Sequence, residues 1–315
     1  AGALTGGNRN SSRIVAGPGL PYLASMSWYD PILDRVRGRP PIVSVVPLRG
    51  VIGSVGPIRR GLTVESVGPL LEAAFRPRSV TAVALVVNSP GGSPAQSELI
   101  AGRIRDLAAE HDKPVIAFVE DVAASGGYWL ACAADEIRVT STSIVGSIGV
   151  ISASFGFQDA MVRVGVERRV HTAGSRKSLL DPFKPERAED VEHLKAIQHE
   201  MHARFIDWVR SRRGDRLKPE DDPELLEGKF WTGPRGIELG LVDGEGELRR
   251  TLRERYGART RFRVISRRPG LARRLGLARA GAGVDGMLAD AAVTGLADGV
   301  IGAVEERALW GRFGL

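Results

Sequence analysis

Residues 120–135 read "EDVAASGGYWLACAAD". One serine, Ser125, stands between small residues and the pair Gly126-Gly127, and the chain then runs directly into the mostly apolar "YWLACAA". The apolar run "VIAFVE" (115–120) before it predicts a strand, "DVAASGG" a turn, and "YWLACAAD" a helix. A serine at such a turn exposes its hydroxyl at the positive end of a helix dipole, where developing negative charge is favoured. The two glycines remove side chains that would block a substrate backbone.

The preceding segment repeats the unit. "VTAVALVV" (80–87) predicts a strand ending at Asn88, and Pro90-Gly91-Gly92 a turn. Ser93 is then a helix N-cap with Pro94 at the first helical position. Leu99, Ile100, Ile104 and Leu107 form an apolar stripe that stops before Pro114. Two successive strand, Gly-rich turn, helix units imply parallel strands with both turns on one rim, facing each other. Upstream, "PIVSVVPLRGVIG" (41–53) predicts a buried strand and "TVESVGPLLEAAF" a helix. Downstream, "EIRVT" and "SIVGSIGVISASF" predict strands, and residues 186–213 a long charged helix. The expected fold class is α/β. A Gly91-Gly92 turn offering backbone N–H groups opposite Ser125 resembles an oxyanion hole, although two tight turns without chemistry fit equally well on this pattern alone.

A reactive serine needs a base. The five histidines are at 111, 171, 193, 199 and 202, and none falls between 112 and 170. His193, His199 and His202 are expected on the solvated side of the charged helix, and "HEMH" lacks the spacing of a zinc motif, so no metal is expected. His171 is one candidate base. Lys177, in "HTAGSRKSLLDPF", is the other: only six of the 44 basic residues are lysines. Lysine, unlike arginine, can give up its proton, provided that burial or a positive neighbour favours the neutral amine. Taken in isolation, Lys177 reads as a surface lysine.

Composition bounds the rest. The chain has 315 residues, 43% hydrophobic, a net charge of +7 and one cysteine, Cys132. A disulfide within the chain is excluded, and a small buried thiol is expected. "VTAVALVV" is far short of the roughly 20 apolar residues of a membrane helix. The first 25 residues contain no apolar core of a secretory signal. The basic residues are spread along the chain without a nucleic-acid motif, so no nucleic-acid partner is expected. Residues 1–40, rich in Gly, Pro and Arg, are read as a flexible leader and 41–246 as the catalytic domain. Residues 247–315 are read as a basic extension with an amphipathic helix at 283–309. That helix could touch a neighbour or a membrane face.

In order along the chain, "VVNSPGG", "VAASGGYWLACAAD", "VGSIGV", "TAGSRKSLLDPF" and "GKFWTGPRGIELGLVD" resemble the signal peptide peptidase A family of serine peptidases, family S49. The resemblance spans roughly residues 41–246. It implies a Clp protease/crotonase-like fold of repeated strand-strand-helix units and a Ser/Lys dyad without cofactor. Ser125 would be the nucleophile, Lys177 the base, Gly91 and Gly126 the oxyanion donors, and Ser147 the residue that orients the amine. It further implies a peptide substrate and a homo-oligomer whose sites are shared between protomers. The membrane anchor of many members is not visible in this sequence. A cytoplasmic location, or a peripheral one at the inner membrane, is therefore expected. A crotonase-type acyl-CoA enzyme and an inactive peptide-binding scaffold are the alternatives on the same fold.

Overall fold

A computed structural model describes residues 38–55, 59–266, 304 and 307–315. The chain divides into two compact units, Ala1–Pro40 and Pro41–Leu315. The expected leader lies almost wholly outside the described residues, as does most of the stretch 283–309.

The second unit begins with β1 (Ile42–Arg49), the hairpin strands β2 (Ser54–Val55) and β3 (Arg59–Arg60), and α1 (Val64–Phe75). The two predicted units follow: β4 (Val80–Ser89) with α2 (Pro94–His111), then β5 (Val115–Ala124) with α3 (Gly126–Ala131). Next come β6 (Glu136–Val139), β7 (Ile144–Gly146), α4 (Gln158–Val164) and α5 (Ala188–Arg213). The last elements are β8 (Phe230–Thr232), α6 (Gly233–Glu238), β9 (Gly244–Glu245), α7 (Leu248–Tyr256) and β10 (Arg261–Val264).

Eight strands form one sheet in the order β10-β1-β4-β5-β6-β9, with β7 paired to β5 and β8 to β7. From β10 to β9 every pairing is parallel, which buries both faces. On one face Val46, Leu48, Leu85, Val87 and Ala117 pack with side chains of α1, α2, α3 and α5. On the other, Val43, Val45, Ala84, Ile116 and Phe118 are covered by Leu252 of α7. Each fully buried Leu or Ile here is worth about 1.5–3 kcal/mol relative to exposure. This is the α/β organisation, with two successive strand-turn-helix units on a parallel sheet, that the sequence predicts.

Three expectations change. The strand β5 continues through Asp121 to Ala124, where a turn was predicted. Its first half pairs with β6 and its second half with β7, so the sheet branches at Glu120-Asp121, whose charged side chains mimic a turn in sequence. Leu99 is exposed, because the core-facing stripe of α2 runs through Ser97, Ile100, Ala101, Ile104 and Leu107. Residues 248–264, read as part of an extension, contribute a helix that caps the sheet and an edge strand pairing with β1. A four-residue, Arg-alternating strand is too short to show a period in sequence.

Candidate active site

The strands β4 and β5 are parallel neighbours, with Ser89 opposite Ala123. Their carboxyl ends therefore deliver Pro90-Gly91-Gly92 and Ser125-Gly126-Gly127 to one rim. Ser125 is the N-cap of α3 and sits at φ 52°, ψ −123°. Positive φ costs a non-glycine residue of order 1–3 kcal/mol and persists only where its surroundings impose it. The imposing contacts are visible. The Ser125 N–H donates to the Gly146 carbonyl at 2.8 Å, and the Ser125 carbonyl accepts from Trp129 N–H at 3.0 Å. Ser125 itself is half-buried at the rim, between the buried Ala124 and Gly126.

Gly91 closes the opposite side. At φ 107° its missing Cβ would lie 2.7 Å from Ser125 Cβ and 3.0 Å from Gly126 N. Only glycine fits there, so the backbone of one turn rests directly against the serine of the other. Gly126 opens α3, and its N–H is a first-turn donor for which the helix has no acceptor. A Cβ on Gly126 would collide with Ser97 Oγ. The Gly91 N–H is directed at Ser89 Oγ at 3.3 Å, a long bond that an oxyanion would have to displace. Ser147, buried and at φ 54°, follows the Gly146 whose carbonyl holds Ser125, and its own N–H donates to Lys229 O at 2.7 Å. Gly91, Ser125, Gly126 and Ser147 are thus brought together within one chain.

Lys177 is not brought to them. It is exposed, and its backbone N–H donates to Gly174 O at 3.2 Å; no side-chain bond joins it to Ser125. The same holds for the whole segment 151–187, in which no residue is buried. That segment is tied to itself: Phe157 N–H donates to Pro182 O at 2.7 Å, and the Phe157 and Phe183 rings stack at 5.6 Å. The Arg168 guanidinium lies over Phe183 and pairs with Asp181. Among its outward side chains are several large apolar ones, with Phe155 79% and Val162 80% exposed. A cavity of about 310 Å³ on this segment is lined by residues that include Gln158, Arg176 and Asp190, and by neither Ser125 nor Lys177.

Among the histidines, His202 departs from expectation. Its Nε2 lies 3.0 Å from Ile148 O and 2.6 Å from Leu226 O, fastening α5 to the loop after Ser147. His171 is exposed. Beneath the rim, Tyr128 donates from its hydroxyl to Leu241 O at 2.6 Å, and burial raises its pKa. Buried Arg213 binds Asp243 through two N–H groups at 2.9 Å each. Burial opposes the Asp243 charge, but the Arg213 bonds and charge outweigh it and hold the carboxyl below its usual range. Cys132 is fully buried, as expected, and burial pushes its thiol up to about 12. Sequence reasoning missed Ser89 and Ser97, whose only signal was their place beside the "SPGG" turn.

Residues 108–256 match the model of Peptidase family S49. The chain is 50% identical over 284 residues to a sequence of Brucella abortus named Na(+)/H(+) antiporter NhaA, covering 89% of this chain and 38% of that one. It therefore spans less than two fifths of that relative, whose name describes the longer protein. Among the described residues no helix is long and apolar enough to cross a membrane. Protease 4 of Haemophilus influenzae is 31% identical over 242 residues, 74% of this chain and 38% of that one. A solved mutant of the 1510-N membrane-bound stomatin-specific protease superposes with a TM-score of 0.46 at 15% identity, over 73% of this chain and 99% of that one. Residues 108–256, the part of the chain that holds Ser125, Ser147 and Lys177, belong to peptidase family S49.

Proposed function

We propose that this chain is a serine endopeptidase that hydrolyses peptide bonds in small or unfolded peptides, with Ser125 as nucleophile and Lys177 as base. The observation that carries this reading is the forced positive φ of Ser125 at the start of α3, with Gly91 packed against it and the Gly126 N–H beside it. Strain of this kind at a strand-to-helix junction is retained where it aims a reactive group.

The chemistry follows from these positions. Ser125 Oγ attacks the scissile carbonyl carbon and gives its proton to a neutral lysine amine. The carbonyl oxygen becomes an oxyanion that the N–H groups of Gly126 and Gly91 stabilise, the latter in exchange for its long bond to Ser89. The C–N bond breaks as the lysine returns the proton to the leaving amine, and a seryl ester remains. Water, deprotonated by the same lysine, then hydrolyses the ester and restores Ser125. Ser147, one residue from the carbonyl that anchors Ser125, is suited to orient the amine.

A lysine left in water is protonated at neutral pH and accepts no proton. Lys177 therefore needs cover, and so do the apolar side chains exposed on its own segment. A second copy of the chain laid against residues 151–187 supplies both at once, which supports a homo-oligomer with each site shared between neighbours. The test is turnover of an unfolded peptide by Ser125→Ala, Lys177→Ala and Lys177→Arg variants. All three are expected to be inactive with unchanged circular dichroism; a turning-over Lys177→Arg enzyme would overturn the lysine as base, since guanidinium cannot accept the proton.

A further inference from the structure

We propose that the cavity beside Lys177 is a subsite for a basic side chain of the peptide substrate, with the buried Asp190 carboxylate as its countercharge. This deepens the peptidase reading above and rests on it for the peptide, though not for the cation site itself.

The cavity, of about 310 Å³, lies between the start of α4 and the start of α5. Gln158, the first residue of α4, and Asp190, in the first turn of α5, both line it. So do Ser175, Arg176, Ser178 and Leu179, which flank Lys177 in the chain. Asp190 is 6% exposed, and its carboxylate has no hydrogen-bond or ion-pair partner among the described residues. The Gln158 Oε1 atom is likewise buried without a partner there. A helix dipole favours acids in the first turn of α5, and Glu189, 46% exposed and paired with Arg176, needs no further reason. It gives no reason to bury Asp190. A carboxylate withdrawn from water without a countercharge is costly.

The other charges of the wall are committed. Arg176 and Arg187 both pair with Glu189, and Asp181 accepts from Arg168 and from Phe183 N–H. The Lys184 amine lies 3.5 Å from Ser178 Oγ. What remains is a carboxylate and an amide oxygen, both acceptors. Among the described residues no group of three side chains could hold a metal ion. The complementary ligand is a guanidinium or an ammonium, whose several N–H donors can meet a carboxylate and a second oxygen together. Leu179 and Leu180 line the cavity too and suit the apolar stem of an arginine or lysine. Ser175 and Arg176 are exposed and Asp190 is buried, so the cavity opens on the side that carries Lys177 and its charge lies at the bottom. A peptide whose scissile bond meets Lys177 passes that opening.

Titration calorimetry with N-acetyl-arginine amide, against the uncharged N-acetyl-norleucine amide, tests the site without turnover. The Ser125→Ala chain is expected to bind the arginine probe saturably and the norleucine probe at least about tenfold more weakly, one charge-assisted pair being the difference. Adding Asp190→Asn removes that preference, and adding Gln158→Leu in its place reduces it. On active enzyme, a peptide with one arginine is expected to have a lower KM than its norleucine counterpart, and the two KM values converge in Asp190→Asn. No arginine preference in the Ser125→Ala chain, or one that survives Asp190→Asn, overturns the proposal. Should Asp190→Asn fail to fold, an undiminished preference in Gln158→Leu does the same. A fall in sedimentation coefficient on Asp190→Asn, with no probe bound by the parent, would give the cavity to an arginine of a second copy and overturn the substrate assignment. Failure of the peptidase reading shows separately, as turnover that survives Ser125→Ala.

Discussion

The position where Gly91 would carry a Cβ lies 2.7 Å from Ser125 Cβ. Two turns that are 34 residues apart in sequence are therefore in backbone contact, and the contact leaves no room for a methyl group. Gly91→Ala is expected to lower kcat/KM at least about a hundredfold, the usual cost of a displaced oxyanion donor. Gly50 is the control. It has nearly the same φ, 103°, with nothing within 4 Å of its missing Cβ. Gly50→Ala should cost about 1 kcal/mol in urea unfolding and leave kcat/KM unchanged.

Mixing the two inactive variants reads the origin of the lysine. If Ser125 and Lys177 meet across a repeating interface, an equal, co-assembled mixture of Ser125→Ala and Lys177→Ala chains regains activity at about a quarter of sites, by random neighbour order. Mixtures that remain at background after co-refolding would mean that each site draws both residues from one chain.

Assembly through residues 151–187 predicts a dependence on their apolar surface. Val162→Asp together with Phe155→Asp, both exposed here, is expected to reduce the sedimentation coefficient to that of a single chain and abolish turnover. The single chain should keep its melting temperature, because neither residue is in the core. An unchanged sedimentation profile would remove this surface from the interface.

Asp243→Asn strips the buried Arg213 of its countercharge. Breaking such a pair on one side costs about 3–5 kcal/mol, and urea unfolding at pH 7 measures it. The pH dependence has a fixed sign. A carboxyl held below its unfolded value binds its proton later in the folded state, so its stabilisation is present above about pH 4, the unfolded value. It is lost as pH falls below that toward the lowered folded value. The variant should show a flatter loss of stability on acidification than the parent chain.

The Cys132 thiol, pushed up to about 12 by burial, has almost no thiolate at pH 8. A chromogenic disulfide reagent should react with less than one equivalent per chain under native conditions, at a rate set by unfolding. In urea the single thiol is expected to react fully within minutes, its pKa restored to about 8.5. Rapid native labelling would place Cys132 nearer solvent than α3 and α5 allow.

The local pattern of the sequence determined the two strand-turn-helix units, the cap at Ser93 and the rim on which Ser125 stands. Each depends on neighbours a few residues away: apolar runs, Pro90, Pro94, and glycine pairs that tolerate the turn. The buried Cys132 was legible for the same reason, since "YWLACAA" leaves a helix with almost no polar face. What the tertiary structure alone decided involves partners distant in sequence. The continuation of β5 past Glu120 depends on Ile144–Gly146 arriving as a second neighbour, which two adjacent acidic residues disguise as a turn. His202 faces the carbonyls of Ile148 and Leu226 because α5 crosses that loop, a contact no helical period encodes. Phe313 reached β5 across nearly 190 residues, and Trp310 and Phe313 in a Gly- and Arg-rich stretch carry no pattern that names their target. Sequence periodicity reports which face of an element is apolar; only the packed chain decides what that face is pressed against.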